Sequence, residues 1–437
     1  MQDPKIRKLI AGEEKRQKEG LEMIPSENYV SKEVRYAVGS VLENKYAEGY
    51  PGKRYYTGNE FVDQIENLCI DRTKKLFGVP FVNVQPYSGS PANLEIFGAI
   101  CNPGDTVLSQ LLSSGGHLSM GQAMSATGKH YSAKFYHLTP EGEIDWDELY
   151  TLARKFKPKI IWSGGTGYTK VFKWEKYAAI AEEIGAYFVA DISHIAGLIA
   201  GGTHPSPVPF AHVVMTTTHK TLRGPRGALI MVTQKGLQKD PELGEKVNKS
   251  VFPGHQGGPH INKIAGIAVA LNEANTNEFK TYAKQIVTNS CALAKELIRN
   301  GFVLIGDGTE NHMIWIDLRN KNIDGWQAHV TLEVANIYGN KQTIPNDPKP
   351  PYYPSGYRLG TPAITTRGMK EKEMKMIAGF INRGVEIAQR LKTKGLGSEI
   401  KEEDQDARKL YKQKLKTDKE LLKLKTNVTA FAKKYGT

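Results

Sequence analysis

From Phe81 to Val232 the chain alternates short β-branched or aromatic runs with stretches whose apolar residues recur every three to four positions. The strand-like runs are 82–85, 106–108, 159–162, 187–191, 212–216 and 228–232, and helical spacing fills 91–100, 146–156 and 174–184 between them. Apolar strands separated by amphipathic helices specify an α/β fold, a mostly parallel sheet covered by helices. Such sheets bind ligands beyond the carboxyl ends of their strands. The polar residues that stand out fall there: Ser88-Gly89-Ser90, Thr166, Asp191, His194 and His219-Lys220.

Past a helical stretch at 262–274 the pattern loosens. A long helix at 281–299, a strand at 314–318 and a Pro/Gly-rich loop at 339–360 read as a smaller α+β domain. Beyond Gly397 lysine and glutamate dominate. There Thr417-Asp418-Lys419-Glu420 has the form of a capping box opening a helix, with Leu421, Leu424, Val428, Phe431 and Tyr435 on one stripe that would dock on its own domain. The expected division is an N-terminal helical arm (1–50), a large cofactor-binding domain (51–275), a small C-terminal domain (276–395) and a basic helical tail (396–437).

A chain of 437 residues, 40% apolar and 24% charged, can bury a large core. It has no apolar run of about 18 residues, the length a membrane span needs. Its start, Met1-Gln2-Asp3-Pro4-Lys5, lacks the apolar core of a secretion signal, so the cytoplasm is the expected compartment. Cys69, Cys101 and Cys291 form no Cys-x-x-Cys pair, which argues against a disulfide framework or a zinc site and for three small core residues. No metal site is expected. The net charge of +13 suits a protein that handles anions, whether a phosphate cofactor, a carboxylate substrate, a polyanionic coenzyme or nucleic acid. A nucleic-acid grip by the tail is the weaker reading: Glu402, Glu403, Asp404, Asp406, Asp418 and Glu420 interrupt its lysines, and its few aromatics form no stacking platform.

Lys220 closes one apolar run, with His219, Arg223 and Arg226 close in sequence. Burial and neighbouring cations turn a lysine amine into a nucleophile toward an aldehyde, so the position reads as a Schiff-base lysine for pyridoxal phosphate; a solvated lysine in a basic turn is the alternative. Asp191 closes another run and would need a cationic partner, which a protonated pyridine nitrogen supplies. Ser88-Gly89-Ser90, between a strand and a helix whose Pro91 suits the first helical position, reads as a phosphate cradle or as a plain serine cap. Arg358, within Ser355-Gly356-Tyr357-Arg358-Leu359-Gly360-Thr361-Pro362, reads as part of a rigid turn, its guanidinium shaped for a carboxylate or for a structural ion pair. From Asn44 to Tyr56 four tyrosines crowd around two glycines, more than a solvated loop would collect.

From about Glu22 to Arg390 the chain resembles serine hydroxymethyltransferase. The runs that carry the resemblance are Ser26-Glu27-Asn28-Tyr29, Asn44 to Tyr56, Ser88-Gly89-Ser90 with Ala92-Asn93, Gly115-Gly116-His117-Leu118, His194-Ile195-Ala196-Gly197-Leu198, Thr216 to Gly227, Phe252-Pro253-Gly254-His255-Gln256-Gly257-Gly258-Pro259 and Ser355 to Pro362. The resemblance implies a fold-type I pyridoxal-phosphate transferase with a large seven-stranded sheet domain. It would convert L-serine and tetrahydrofolate to glycine and 5,10-methylenetetrahydrofolate. The resemblance implies a homodimer, or a tetramer, with active sites shared between chains; Tyr46, Glu48, Tyr56 and Gly258 would serve the neighbour. The implied catalytic set is Lys220, which would carry pyridoxal 5'-phosphate covalently, with Glu48, His219, Tyr56 and Thr217. Cofactor contacts would be Ser90, Gly89, His117, Thr166, Asp191, His194, His219, Tyr46 and Gly258. Substrate contacts would be Ser26, Glu48, Tyr55, Tyr56, His194 and Arg358, and folate contacts Leu112, Gly116, His117, Leu118, Gln342, Pro350, Pro351 and Tyr352.

The chain departs from the family pattern at several positions. Met120 stands where histidine is common, Tyr87 replaces a common histidine, Thr166-Gly167 replaces Ser-Ala, and Thr169-Lys170 replaces Pro-Arg. Gln342 replaces a pterin-contacting asparagine, which bears on folate affinity. A folate-independent aldolase acting on threonine or other β-hydroxy amino acids would need the same lysine, aspartate and arginine, but not Glu48 or the folate segments.

Overall fold

The computed structural model describes residues 2–392 and 405–436. The chain gathers into two compact units: Val30–Thr139 with Glu143–Lys284, and Met1–Tyr29 with Pro140–Gly142 and Gln285–Thr437.

The first unit is built on a seven-stranded sheet. In chain order its strands are β1 (Phe81–Asn83), β2 (Thr106–Gln110), β3 (Ser132–Tyr136), β4 (Ile160–Ser163), β5 (Tyr187–Asp191), β6 (Val213–Thr217) and β7 (Ala228–Val232). They lie in the order β1-β7-β6-β5-β4-β2-β3, parallel except for β7, which runs antiparallel to both neighbours. All residues of β4, β6 and β7 are buried, as befits a sheet covered on both faces. Val107, Trp162, Val189, Met215 and Ile230 share a core with Ile96 and Phe97 of the helix Gly89–Ile100. Met120 sits in the same core, 1% exposed, so it fills space in the apolar interior.

The fold corrects the sequence reading in places. Ser132–Tyr136 is a strand where none was anticipated; it is the sheet edge, with Lys134 at its centre. Pro91 is the third residue of its helix, not the first, because Gly89 and Ser90 already have helical geometry. Cys69 and Cys101 are buried, whereas Cys291 is exposed.

The second unit carries a four-stranded sheet in which Met313–Asp317 lies between Val303–Leu304 and Gly356–Gly360, with Asn340–Gln342 on the far edge. The expected loop at 339–360 is therefore strand at both ends, and Arg358 lies in mid-strand, paired with Trp315 and Asn340, not in a turn. Leu21–Glu22 pairs in parallel with Ile337–Tyr338. The helix Lys419–Ala432 buries Leu421, Leu424, Val428 and Phe431 in this unit's core, with Tyr435 packed against it. Its N-cap is Asp418, which accepts from the Leu421 amide, and Thr417 ends the preceding helix, so the capping-box reading is off by one residue. Glu402, Glu403 and Asp404 lie outside the described residues. Among the described residues no helix is long and apolar enough to cross a membrane.

Candidate active site

β5 and β6 run side by side with Asp191 opposite Met215, so the ends of both strands open on the same edge of the sheet. Beyond β6 the chain turns through Thr218-His219-Lys220. The turn is closed by Gly224 N–H donating to Thr218 O (2.7 Å) and by the Thr218 hydroxyl donating to Pro225 O (2.6 Å). Arg223 takes a left-handed conformation (φ 61°), which aims its guanidinium over the Tyr282 ring at 4.8 Å and toward Glu273 at 3.8 Å. Arg223 is thus engaged away from the lysine it was expected to crowd. The Lys220 side chain is buried, and its Nζ donates to Thr217 Oγ1 at 3.1 Å.

Burial pushes the His219 imidazole down to about 3, assisted by the charges of Lys220 and Arg226, so the ring is neutral at physiological pH. Its Nδ1 is buried with no hydrogen-bond partner among the described residues. Such an orphan costs on the order of 1–3 kcal/mol unless a ligand satisfies it.

Both oxygens of Asp191 are held by neutral donors: Ser193 N–H reaches Oδ1 at 2.9 Å and Asn93 Nδ2 reaches Oδ2 at 3.3 Å. Asn93 Nδ2 also donates to Ser119 Oγ at 2.9 Å, and that hydroxyl lies 2.7 Å from His117 Nδ1. Because Ser119 Oγ accepts from Asn93, its own proton points at Nδ1, which also receives the Ser119 N–H at 3.2 Å. The network fixes Nδ1 as an acceptor and places the His117 proton on Nε2. Ser193 Oγ accepts from Thr217 N–H at 2.9 Å, and Thr221 Oγ1 donates to His194 O at 2.8 Å. The Asp191–His194 segment is thereby laced to the Lys220 turn.

Gly89, at the start of its helix, faces Thr217: a Cβ there would sit 2.6 Å from Thr217 Cγ2. Ser90 lines a pocket of about 450 Å³ with Tyr87, Leu118, Ser119, His255 and Gln256. Thr166 Oγ1 donates to Gly116 O at 3.1 Å, pinning the Gly115-Gly116 turn that follows Leu112. Gly116 is obligatory, since a Cβ would lie 2.1 Å from Gln110 O.

A separate cluster surrounds Glu48. Arg54 anchors the hairpin Gly49–Tyr50/Lys53–Arg54 through Asp63 (2.8 Å), Glu66 (2.5 Å) and the carbonyls of Ala47 and Gly49. Tyr46 OH donates to Glu48 Oε1 at 3.2 Å, and the charge of Glu48 followed by this bond raises the Tyr46 pKa. Cβ atoms at Gly257 and Gly258 would stand 3.2 Å from Glu48 Oε1 and 3.3 Å from Tyr46 Cε1. Tyr46, Tyr55 and Tyr56 are 55%, 75% and 46% exposed.

In the second unit Arg358 is buried, which pulls its pKa down to about 10, and its Nε donates to Asn340 Oδ1 at 3.1 Å. Ser26 is half-buried, Pro350 and Pro351 are exposed, and Gln342 ends its edge strand. Beside it the Lys341 ammonium lies 3.5 Å from the centre of the Tyr352 ring.

The residues fit a phosphate-bearing aldehyde cofactor: a buried lysine, an orphaned imidazole nitrogen beside it, a helix-start glycine packed against the threonine that holds the lysine, and a carboxylate held by neutral donors. Asn93, Ser119 and Ser193 had no assigned role in the sequence reading. Asn93 carried a signal, a polar residue among the buried positions of its helix, which it shares with Glu95.

The profile described as "Serine hydroxymethyltransferase" matches residues 1–381. A serine hydroxymethyltransferase of Acidothermus cellulolyticus is 51% identical over 381 residues, 87% of this chain and 88% of that protein. One of Desulfotalea psychrophila is 50% identical over 384 residues, 88% and 89% of the two chains. The chain belongs to the serine hydroxymethyltransferase family.

Proposed function

We propose that Lys220, Asp191 and Arg358 carry the reaction of this family in this chain. That reaction is the reversible transfer of the serine hydroxymethyl carbon to tetrahydrofolate, giving glycine, 5,10-methylenetetrahydrofolate and water. The observation that carries the reading is the buried Lys220 amine, held on Thr217 at the end of β6 and beside the neutral His219. Pyridoxal 5'-phosphate, when bound, supplies an electron sink for the pair released at the substrate α-carbon.

The chain's own groups do the rest. Lys220 is the covalent attachment point, and Thr217 orients its amine. Asp191 supplies the counter-charge that keeps a ring nitrogen protonated. Ser90, Gly89, His219, Tyr46 and Gly258 surround the phosphate, His117 faces the ring, and Thr166 and His194 attend the phenolic oxygen. Arg358 binds the substrate carboxylate through its planar fork, with Ser26, Tyr55, Tyr56 and His194 as further substrate contacts. Glu48 holds or moves the proton at the serine hydroxyl or the folate amine. Leu112, Gly116, His117, Leu118, Gln342, Pro350, Pro351 and Tyr352 line the pterin site. The protein works as a cytoplasmic homodimer, each protomer lending Tyr46, Glu48, Tyr56 and Gly258 to its neighbour; the exposure of Tyr46, Tyr55 and Tyr56 supports this. Both relatives carry the hydroxymethyltransferase name, and nothing favours the folate-independent aldolase.

Borohydride reduction of the protein loaded with pyridoxal phosphate, followed by peptide mapping, should place the label on Lys220. A separate, unreduced portion of the loaded protein should release glycine from serine only with tetrahydrofolate. A label on another lysine, or serine cleavage indifferent to folate, would overturn the assignment.

A further inference from the structure

Tyr87 joins two segments that the proposed function assigns to different active sites. It immediately precedes Ser88-Gly89-Ser90, the phosphate cradle of its own protomer. It also holds the turn Gln256-Gly257-Gly258-Pro259-His260 at three points. Tyr87 N–H donates to Gln256 Oε1 at 2.8 Å, Tyr87 OH donates to Gly258 O at 2.8 Å, and the Tyr87 ring stacks on His260 with centroids 4.2 Å apart and planes 7° from parallel. Gln256 completes the clamp by donating Nε2 to Gln85 O at 2.9 Å. On its other side the turn meets Tyr46 and Glu48, with room for nothing larger than glycine at 258 without displacing the Tyr46 ring.

We propose that Tyr87 is a positioning residue acting across the dimer: its hydroxyl sets the Gly257-Gly258 turn that one protomer offers to the cofactor phosphate of its neighbour. The inference rests on the shared-site reading above. The histidine common at this position has a shorter side chain, so a hydroxyl reaching Gly258 O is a feature of tyrosine here. A backbone turn that must meet an anion gains from being held before the anion arrives, because its ordering cost is then met in folding and not in binding. Tyr87 supplies that restraint from residues adjacent to a second phosphate cradle, so each protomer's own cradle and the turn it lends are mechanically one piece.

The test uses mixed dimers. Tyr87→Phe removes only the hydroxyl and keeps the stack on His260; Tyr87→His, which also keeps a flat ring but falls short of Gly258, is the second variant should the first fold poorly. Protomers carrying Lys220→Ala cannot hold the cofactor covalently, so a dimer of one Lys220→Ala chain and one Lys220 chain has a single covalent site. Pyridoxal phosphate affinity at that site is read by absorbance titration and by borohydride labelling per dimer. The expected result is a roughly fivefold weaker affinity, the scale of one hydrogen bond, when Tyr87→Phe sits on the Lys220→Ala chain, and a much smaller change when it sits on the chain bearing Lys220. Weakening confined to the chain bearing Lys220, or none in either arrangement, would overturn the role of Tyr87. Native mass spectrometry separates this from failure of the underlying reading: a monomer with full cofactor affinity would remove the shared site itself, whereas an intact dimer indifferent to Tyr87→Phe removes only the proposal.

Discussion

Asn93 Nδ2 reaches Asp191 Oδ2 at 3.3 Å while also donating to Ser119 Oγ at 2.9 Å, so one amide joins the carboxylate to the hydroxyl that orients His117. Asn93 Oδ1 is buried and has no hydrogen-bond partner among the described residues, so the amide is oriented wholly by what it donates to. Removing it frees the carboxylate and the imidazole together. Asn93→Ala should lower stability by about 1–2 kcal/mol, the cost of stranding buried acceptors. It should weaken pyridoxal phosphate binding roughly tenfold, as loss of a supporting shell does at other cofactor and metal sites. Asn93→Asp should be worse, because it sets a second carboxylate against Asp191 in a buried place. Thermal denaturation and cofactor titration of both variants check the order.

The 2.6 Å approach of a Cβ at position 89 to Thr217 Cγ2 makes a sharper prediction, since Thr217 is the residue that holds Lys220. Gly89→Ala should push Thr217 aside and reduce covalent cofactor incorporation. Thr217→Ser keeps the hydroxyl and deletes the offending methyl, so the double variant should recover much of what Gly89→Ala loses. Such coupling is expected only for residues in direct contact. Simple additivity of the two losses, read from label stoichiometry, would show that the contact does not govern the lysine.

The strands that carry Asp191 and lead to Lys220 were legible because a charge closing an apolar run is a strong local signal, and both lie at carboxyl ends of the sheet as the alternation implied. The edge strand Ser132–Tyr136 was not, because four of its five residues are only half-buried and a lysine sits at its middle. Arg358 looked like a turn residue because Gly356, Gly360 and Pro362 punctuate its neighbourhood. Those glycines answer to packing: a Cβ at Gly356 would lie 2.5 Å from Gln342 O, and one at Gly360 would lie 2.6 Å from Pro25 Cα. The link from Asn93 to Asp191 spans 98 positions, and no local pattern encodes a contact of that separation.

Glu95 predicts a pH dependence. It is fully buried, neither carboxylate oxygen has a hydrogen-bond partner among the described residues, and burial pushes its pKa up to about 8 from an ordinary 4.5. The folded state then binds more protons than the unfolded chain between these values, so stability is fully present below about pH 4.5 and is lost as pH rises toward 8. The upper bound on this loss is roughly 5 kcal/mol, because each tenfold change in proton affinity corresponds to about 1.36 kcal/mol. Glu22 is raised to about 8 by burial and then by Glu27, and adds a slope of the same sign. Glu95→Gln should leave the melting temperature at pH 5 nearly unchanged and raise it at pH 9 relative to the parent protein. Parallel curves across that range would mean that Glu95 finds a partner in solution.

Arg367 ties the carbonyl ends of two helices together. Its guanidinium donates to the carbonyls of Gln17 (3.3 Å), Lys18 (3.1 Å) and Gly20 (2.7 Å) at the end of Pro4–Glu19. It also donates to Ala432 (2.6 Å), Tyr435 (3.1 Å) and Gly436 (3.0 Å) at the end of Lys419–Ala432. A delocalised cation is well placed there, because both helices present unsatisfied carbonyls and the negative ends of their dipoles to it. Its fork also serves acceptors on both sides at once, which a lysine ammonium cannot. Arg367→Met, which keeps most of the volume and removes every donor, should cost at least about 3 kcal/mol, given several buried charge-assisted bonds. Arg367→Lys should recover a minor part of that loss. Limited proteolysis should then cut both ends of the chain earlier than in the parent protein, while the Lys220 label of the loaded protein stays in place. If the two ends are released at unchanged rates, the apolar stripe of Lys419–Ala432 holds them without the guanidinium, and the six carbonyls are adequately served by water.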